Sequence, residues 1–196
     1  MGKIYYLLGK SASGKDTLYK KLMADPSLGL QGVVMYTTRP RRAGETDGKD
    51  YHFIDGDQLE KLRRDGLVIE ERTYQTVHGP WTYLTVRDEA LDLAKGNYLI
   101  EGVLQSYVST RDYFGADHVV PLYVEVEDGE RLLRAIRREQ QQPRPRYAEL
   151  CRRFLTDSQD FSEEKLAAAG ITRRFVNDDP ERCAAKLAAC IRGTEG

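Results

Sequence analysis

A chain of 196 residues, 40% hydrophobic and 31% charged, has the composition of a globular protein with enough material for one core and too little for a second domain. Thirty Lys and Arg against 31 Asp and Glu leave a net charge of −1, so no global field draws the molecule to nucleic acid or to an anionic membrane, and no obligate protein partner is implied. No basic-plus-apolar leader opens the chain and no apolar run nears membrane-span length; Cys151, Cys183 and Cys190 lack CxxC spacing, which reads as buried thiols in a reducing cytoplasm, not a metal site.

In chain order, apolar runs and helical spacing predict a strand over 3–8, a helix over 15–24 and a strand over 32–36. A polar stretch over 37–55, rich in Arg, Gly and Asp, precedes a helix over 56–65 and a strand over 67–74. Further on come a helix over 86–95, a strand over 97–102, a helix over 103–113, a strand over 118–125, helices over 127–141 and 147–166, a strand over 173–176 and a helix over 180–192. Alternation of near-continuous apolar strands with helices implies an α/β fold, a parallel sheet flanked by helices, with ligands beyond the carboxyl ends of the strands. Two segments interrupt it. Residues 37–85 predict a small, mostly antiparallel insertion. Residues 131–166 predict an Arg-rich helical lid, with eight arginines against Glu139 and Glu149 between 131 and 153 and a Pro-containing turn between the helices. On this reading 1–196 is one domain, with its core in 1–36, 86–130 and 167–196.

The chemistry starts at Gly9-Lys10-Ser11-Ala12-Ser13-Gly14-Lys15-Asp16-Thr17. Between a predicted strand and a predicted helix, G-x-x-x-x-G-K is a P-loop: glycines let the backbone approach an anion, and loop amides and the helix start point at it. Lys15 reaches the outer phosphates of ATP as a point charge. Asp16 stands where Ser or Thr usually supplies a magnesium ligand. A carboxylate about 4 Å from a phosphate charge repels it by roughly 4 kcal/mol at an effective dielectric near 20, so a cation belongs between them. Either Asp16 binds Mg²⁺, or it turns away to cap the helix and Thr17 meets the phosphate.

Residues 37–53, Thr-Thr-Arg-Pro-Arg-Arg-Ala-Gly-Glu-Thr-Asp-Gly-Lys-Asp-Tyr-His-Phe, resemble the guanylate kinase pattern T-T-R-x-P-R-x-G-E-x-x-G-x-D-Y-x-F. Val176-Asn177-Asp178-Asp179 resembles the V-N-D-D before that family's last helix. The resemblance spans nearly the whole chain and implies a P-loop NTPase-type sheet, Mg²⁺ with ATP as donor, and transfer of the γ-phosphate to GMP, giving ADP and GDP. It implies that Arg39, Arg42 and Tyr51 hold the acceptor phosphate, that Tyr83, Thr85 and Glu70 meet the acceptor, with Glu70 at guanine N1–H and N2–H₂, and that Arg138 and Arg153 are the lid arginines. Asn177 lies near adenine on the same basis, and Glu101, in the place of the first acid of the family's D-x-D, is an acceptor-binding residue.

The departures are specific. Proline comes one place early in the arginine motif, and Arg41 is additional. The family's serine near guanine is Met35, and its second acid is Val103. Two alternatives follow: a related P-loop kinase whose acceptor is ribose bisphosphate, whose family also carries Gly-Lys-Asp, or a guanylate-kinase-like domain that binds proteins without turnover.

Overall fold

A computed structural model describes residues 1–42, 44–76, 79–88 and 90–194. Its centre is a five-stranded, all-parallel sheet in the order β2-β7-β1-β8-β9, built from β1 (Ile4–Leu8), β2 (Leu30–Gly32), β7 (Asn97–Gly102), β8 (Val119–Glu125) and β9 (Arg174–Val176). All five residues of β1 are buried because both sheet faces are covered. Ile4, Tyr6 and Leu8 pack with Tyr107 of α3 (Leu104–Phe114) and Leu166 of α6 (Glu163–Ala168). Tyr5 and Leu7 pack with Leu18 and Leu22 of α1 (Lys15–Met23) and Leu187 of α7 (Pro180–Arg192). The alternation in β1 is the period-2 side-chain rule applied to a strand with two apolar neighbours.

A second sheet, in the order β4-β3-β6-β5, holds β3 (Tyr36–Thr37), β4 (His52–Phe53), β5 (Val68–Thr76) and β6 (Gly79–Val86). Two of its three pairings are antiparallel, and β3 with β4 is parallel. One face rests on Leu59 of α2 (Gly56–Arg64), whose start is written in the sequence: Asp55 caps Gln58 N–H while Gln58 returns to the Asp55 N–H. The Arg-rich segment forms α4 (Asp128–Gln140) and α5 (Tyr147–Asp160). Among the described residues no helix is long and apolar enough to cross a membrane.

Three expectations need correction. The helix expected over 86–95 is not formed by the described residues of that range: β6 runs to Val86, and the carboxylates of Asp88 and Asp92 accept from Ala90, Leu91 and Ala94 N–H groups, making turns that compete with helix. Leu91 and Leu93 are buried all the same, as anchors of an irregular segment. The helix over 147–166 is two helices, α5 and α6, because Phe161 is buried against Tyr123 and Ser162 starts a new helix by capping Lys165 N–H. The strand over 32–36 is displaced: β2 ends at Gly32 and β3 begins at Tyr36, in the other sheet.

Candidate active site

The loop after β1 is shaped by close approach. A Cβ on Gly9 would lie 2.4 Å from the Val124 carbonyl oxygen, and one on Gly14 2.5 Å from Asn177 Nδ2. Gly14 has φ 85°, and Ala12 adopts φ 62°, left-handed backbone that costs an L-residue roughly 1–2 kcal/mol. Asn177 is buried; its Nδ2 donates to Ser13 O at 2.7 Å, and Arg134 donates to its own carbonyl at 3.2 Å. Asn177 therefore braces the loop from beneath. Ser13 Oγ is buried without a partner.

Lys15 Nζ donates to Lys10 O at 3.2 Å, folding the ammonium back over the loop. Burial pushes its pKa down, offset by the carboxylates of Glu101, Asp16 and Asp157, while Arg138 reinforces the shift. Lys10 itself pairs with Asp128 at 3.2 Å. Asp16 and Thr17 are exposed on the first turn of α1. Glu101, at the carboxyl end of β7 beside Leu7, lies within hydrogen-bonding reach of Asp16. Burial and then the Asp16 charge hold Glu101 up to about 7, against the pull of Lys15. Two hard carboxylates facing one another beside a phosphate cradle are a donor set suited to Mg²⁺.

The α4–α5 hairpin is fastened to the same loop. Ser11 N–H donates to Asp157 Oδ2 at 2.7 Å. Arg131, fully buried, pairs with Asp128 at 3.0 Å and Asp157 at 3.3 Å and lies 4.1 Å over the Phe154 ring. Between the two helices a cavity of about 150 Å³ is lined by Ser11, Arg138, Arg146 and Arg153, so the two lid arginines expected from the resemblance face one cavity with the loop. Arg153 also pairs with Glu149. Neither Arg131 nor Asp157 stands out in the sequence. An arginine in a helix crowded with arginines carries no local mark of burial, and Asp157 is identified only by the loop amide it reaches.

Just after β3 of the second sheet, Arg39 is 3% exposed, and its Nη1 and Nη2 donate to Glu45 at 2.9 and 2.8 Å. Nη1 also donates to Pro40 O, so the fork facing Glu45 is used, while Nε is buried without a partner. The Nε and Nη2 edge is the side-on fork that matches a phosphate. The guanidinium lies 5.4 Å from the Tyr51 ring centroid, and Tyr51 packs edge-on to Tyr83 at 5.8 Å. Arg42 is exposed, and its N–H donates to Glu45 at 2.7 Å. Glu70 is buried and accepts from Thr85 Oγ1 at 3.1 Å and from Ser106 Oγ at 2.9 Å. Ser106 went unnoticed in the sequence because it lies 36 residues away, on α3.

Hydrogen bonds from Arg39 hold the Glu45 carboxyl down to about 2, well under its ordinary range. A depressed carboxylate stabilises the fold above its unfolded pKa, near 4.3, and loses that contribution as pH falls through about 2. An NMR titration of the Glu45 carboxyl is expected to show a midpoint near 2, rising part of the way toward about 4.3 in Arg39→Gln, where the Arg42 N–H still donates to it; a midpoint near 4 in the unsubstituted protein refutes the lock.

Residues 1–87 match the family model "Guanylate kinase". A guanylate kinase of Thiobacillus denitrificans is 43% identical over 70 residues, 35% of this chain and 32% of that protein. One of Brucella melitensis is 34% identical over 119 residues, 60% of this chain and 49% of that one. One of Oceanobacillus iheyensis is 35% identical over 109 residues, 53% and 51% of the two chains. The chain thus spans a third to a half of the length of these curated relatives. The crystal structure of guanylate kinase from Anaplasma phagocytophilum matches with a TM-score of 0.67 at 22% identity, covering 98% of this chain and 86% of that one, which establishes the likeness of fold.

Proposed function

We propose that this chain, which is similar to guanylate kinases over residues 1–87 and shares their fold, transfers the γ-phosphate of ATP to a nucleoside monophosphate, GMP being the acceptor its residues fit best. One observation carries the reading: the fold holds two separate cationic grips, Lys15 in the loop after β1 and Arg39 just after β3 of the second sheet, and the Arg39 Nε is buried with its hydrogen bond unmade. An orphaned buried donor is costly, on the order of 1–3 kcal/mol, unless a ligand completes it. An acceptor phosphate is the group that the side-on guanidinium fork completes.

In the proposed reaction the loop amides and Lys15 bind the donor's outer phosphates, and Arg39, Arg42 and Tyr51 orient the acceptor phosphate. Asp16 and Glu101 are the residues that would hold Mg²⁺, whose chemistry when bound is neutralisation of the polyphosphate charge. No general base is required, since a monophosphate oxygen is already ionised at neutral pH. That oxygen attacks the γ-phosphorus in line as the bond to the ADP oxygen breaks. Arg138 and Arg153, facing one cavity with Ser11, meet the charge on the transferring group as the α4–α5 hairpin excludes water.

Steady-state assays with ATP and GMP, dGMP, AMP or ribose bisphosphate test the acceptor. GMP is expected to give the highest kcat/KM. Negligible turnover of GMP beside rapid turnover of ribose bisphosphate overturns the reading, as does absence of ATP binding by calorimetry. The two grips are tested separately: Arg42→Ala is expected to raise the acceptor KM about 10-fold or more while changing the ATP KM less than about 3-fold. Equal damage to both KM values contradicts the assignment.

A further inference from the structure

Glu70 and Arg72 occupy successive same-face positions on β5, opposite Thr85 and Tyr83 of β6. Tyr83 carries this face on to Tyr51 and Arg39, the grip assigned to the acceptor phosphate. Arg72 therefore stands on the acceptor side, one rung from the buried Glu70. Its Nε lies 3.5 Å from Glu70 Oε2, an ion pair that does not make a hydrogen bond, and this nitrogen is buried without a hydrogen-bond partner. Arg39 and Arg72 thus share the same defect: a buried Nε–H with no hydrogen-bond partner.

The hydrogen-bonding capacity of the pair defines its complement. Each Glu70 oxygen accepts one hydroxyl, from Thr85 or Ser106, and an ionised carboxylate oxygen accepts about two bonds, so one lone pair on each oxygen is left. Two adjacent N–H donors satisfy both. Beside them Arg72 has donors for an acceptor atom. An edge with two neighbouring N–H groups flanked by a carbonyl is the edge of guanine: N2–H₂, N1–H and O6. Adenine turns one amino group and a bare ring nitrogen to the same site and leaves one Glu70 oxygen unmet. The other two side chains that the sequence comparison brings to the base, Met35 and Val103, have no strong donor or acceptor to offer O6.

We propose that Arg72 donates to the 6-oxo group of the acceptor base and is the residue by which this protein selects a 6-oxopurine. The inference rests on the acceptor's being a purine nucleoside monophosphate and adds the residue that reads it. Arg72 also offsets the Glu70 charge, so a loss of activity on its removal does not distinguish reading from support. Selectivity does.

The experiment compares kcat/KM for GMP, IMP and 6-thio-GMP in the unsubstituted protein and in Arg72→Ala and Arg72→Gln. Sulfur at position 6 keeps both N–H donors and weakens the acceptor. The unsubstituted protein is expected to prefer GMP over 6-thio-GMP by about 10-fold or more. Arg72→Ala is expected to lower kcat/KM for GMP and IMP by about 10- to 100-fold and for 6-thio-GMP by less than about 3-fold, erasing the preference, with the ATP KM unchanged. Arg72→Gln, which keeps an amide donor, is expected to fall between, and supplies the reading if Arg72→Ala does not fold. Equal losses for GMP and 6-thio-GMP, or GMP turnover within about 3-fold of the unsubstituted protein, overturn the role of Arg72 alone. Absence of GMP turnover in the unsubstituted protein overturns the acceptor reading, and this inference with it.

Discussion

Lys15→Ala is expected to reduce the phosphoryl-transfer rate by about 10²- to 10³-fold, the scale on which a preorganised electrostatic donor in a closed site contributes. The ammonium is held over the loop by Lys10 O, and burial makes its charge expensive to maintain. A charge kept at that cost, countered by Glu101, Asp16 and Asp157, is placed to meet anionic oxygens. Substitution removes the ammonium that donates to the Lys10 carbonyl; Arg131, which donates to the Ser11 carbonyl of the same loop, is held by Asp128 and Asp157. Single-turnover measurements with saturating ATP are the check, together with GMP binding measured alone, which is expected to stay within about 3-fold because the acceptor grip lies on another sheet. A rate loss below 10-fold removes Lys15 from the chemistry.

Arg131→Met is expected to lower stability by about 3–5 kcal/mol, the loss typical when one partner of a buried ion pair is removed. For a chain of this length that corresponds to a fall in Tm of about 6–20 °C. Arg131 is 1% exposed and sits between Asp128 and Asp157 with its guanidinium over Phe154. Methionine keeps the apolar stem but leaves Asp157, which is itself largely buried, without its cation. Asp157 also accepts the Ser11 N–H, so the damage reaches the phosphate loop. Asp157→Asn in the Arg131→Met background is expected to recover part of the loss, because a neutral amide needs no counter-charge; the coupling is read from a double-mutant cycle. A Tm within 2 °C of the unsubstituted protein contradicts the role given to Arg131.

The strands of the central sheet were legible because their code is local. Ile4 to Leu8 alternate toward two apolar layers, and helices α1, α2 and α7 carry their own start signals in Gly14, Asp55 and Asp179-Pro180. The loop at 9–16 was legible for the same reason: glycine spacing and a lysine suffice to describe an anion cradle. Where side chains competed with backbone the reading failed. Asp88 and Asp92 look acceptable in a helix until their carboxylates are seen closing turns, and Phe161 is an ordinary helix residue until it is found stacked on Tyr123.

The site divides along the same line. Residue types and their spacing were enough to single out Lys15, and the resemblance to the guanylate kinase pattern pointed to Arg39, Tyr51 and Glu70, because a motif is a statement about neighbours along the chain. Arg72 beside Glu70, Ser106 beneath it, Asp157 on the Ser11 amide and Glu101 against Asp16 are pairings across 2, 36, 146 and 85 positions, and three of the four exist only once the chain has folded. Even the short one, two residues apart, depends on a strand to put both side chains on one face and on burial to leave a donor unpaired. Hydrogen bonds and charges act over a few ångströms of space, and their strength depends on the water that packing removes. Position along the chain records neither quantity for residues far apart, so the glycine-bounded loop could be read from letters, while the contacts that surround it had to wait for the fold.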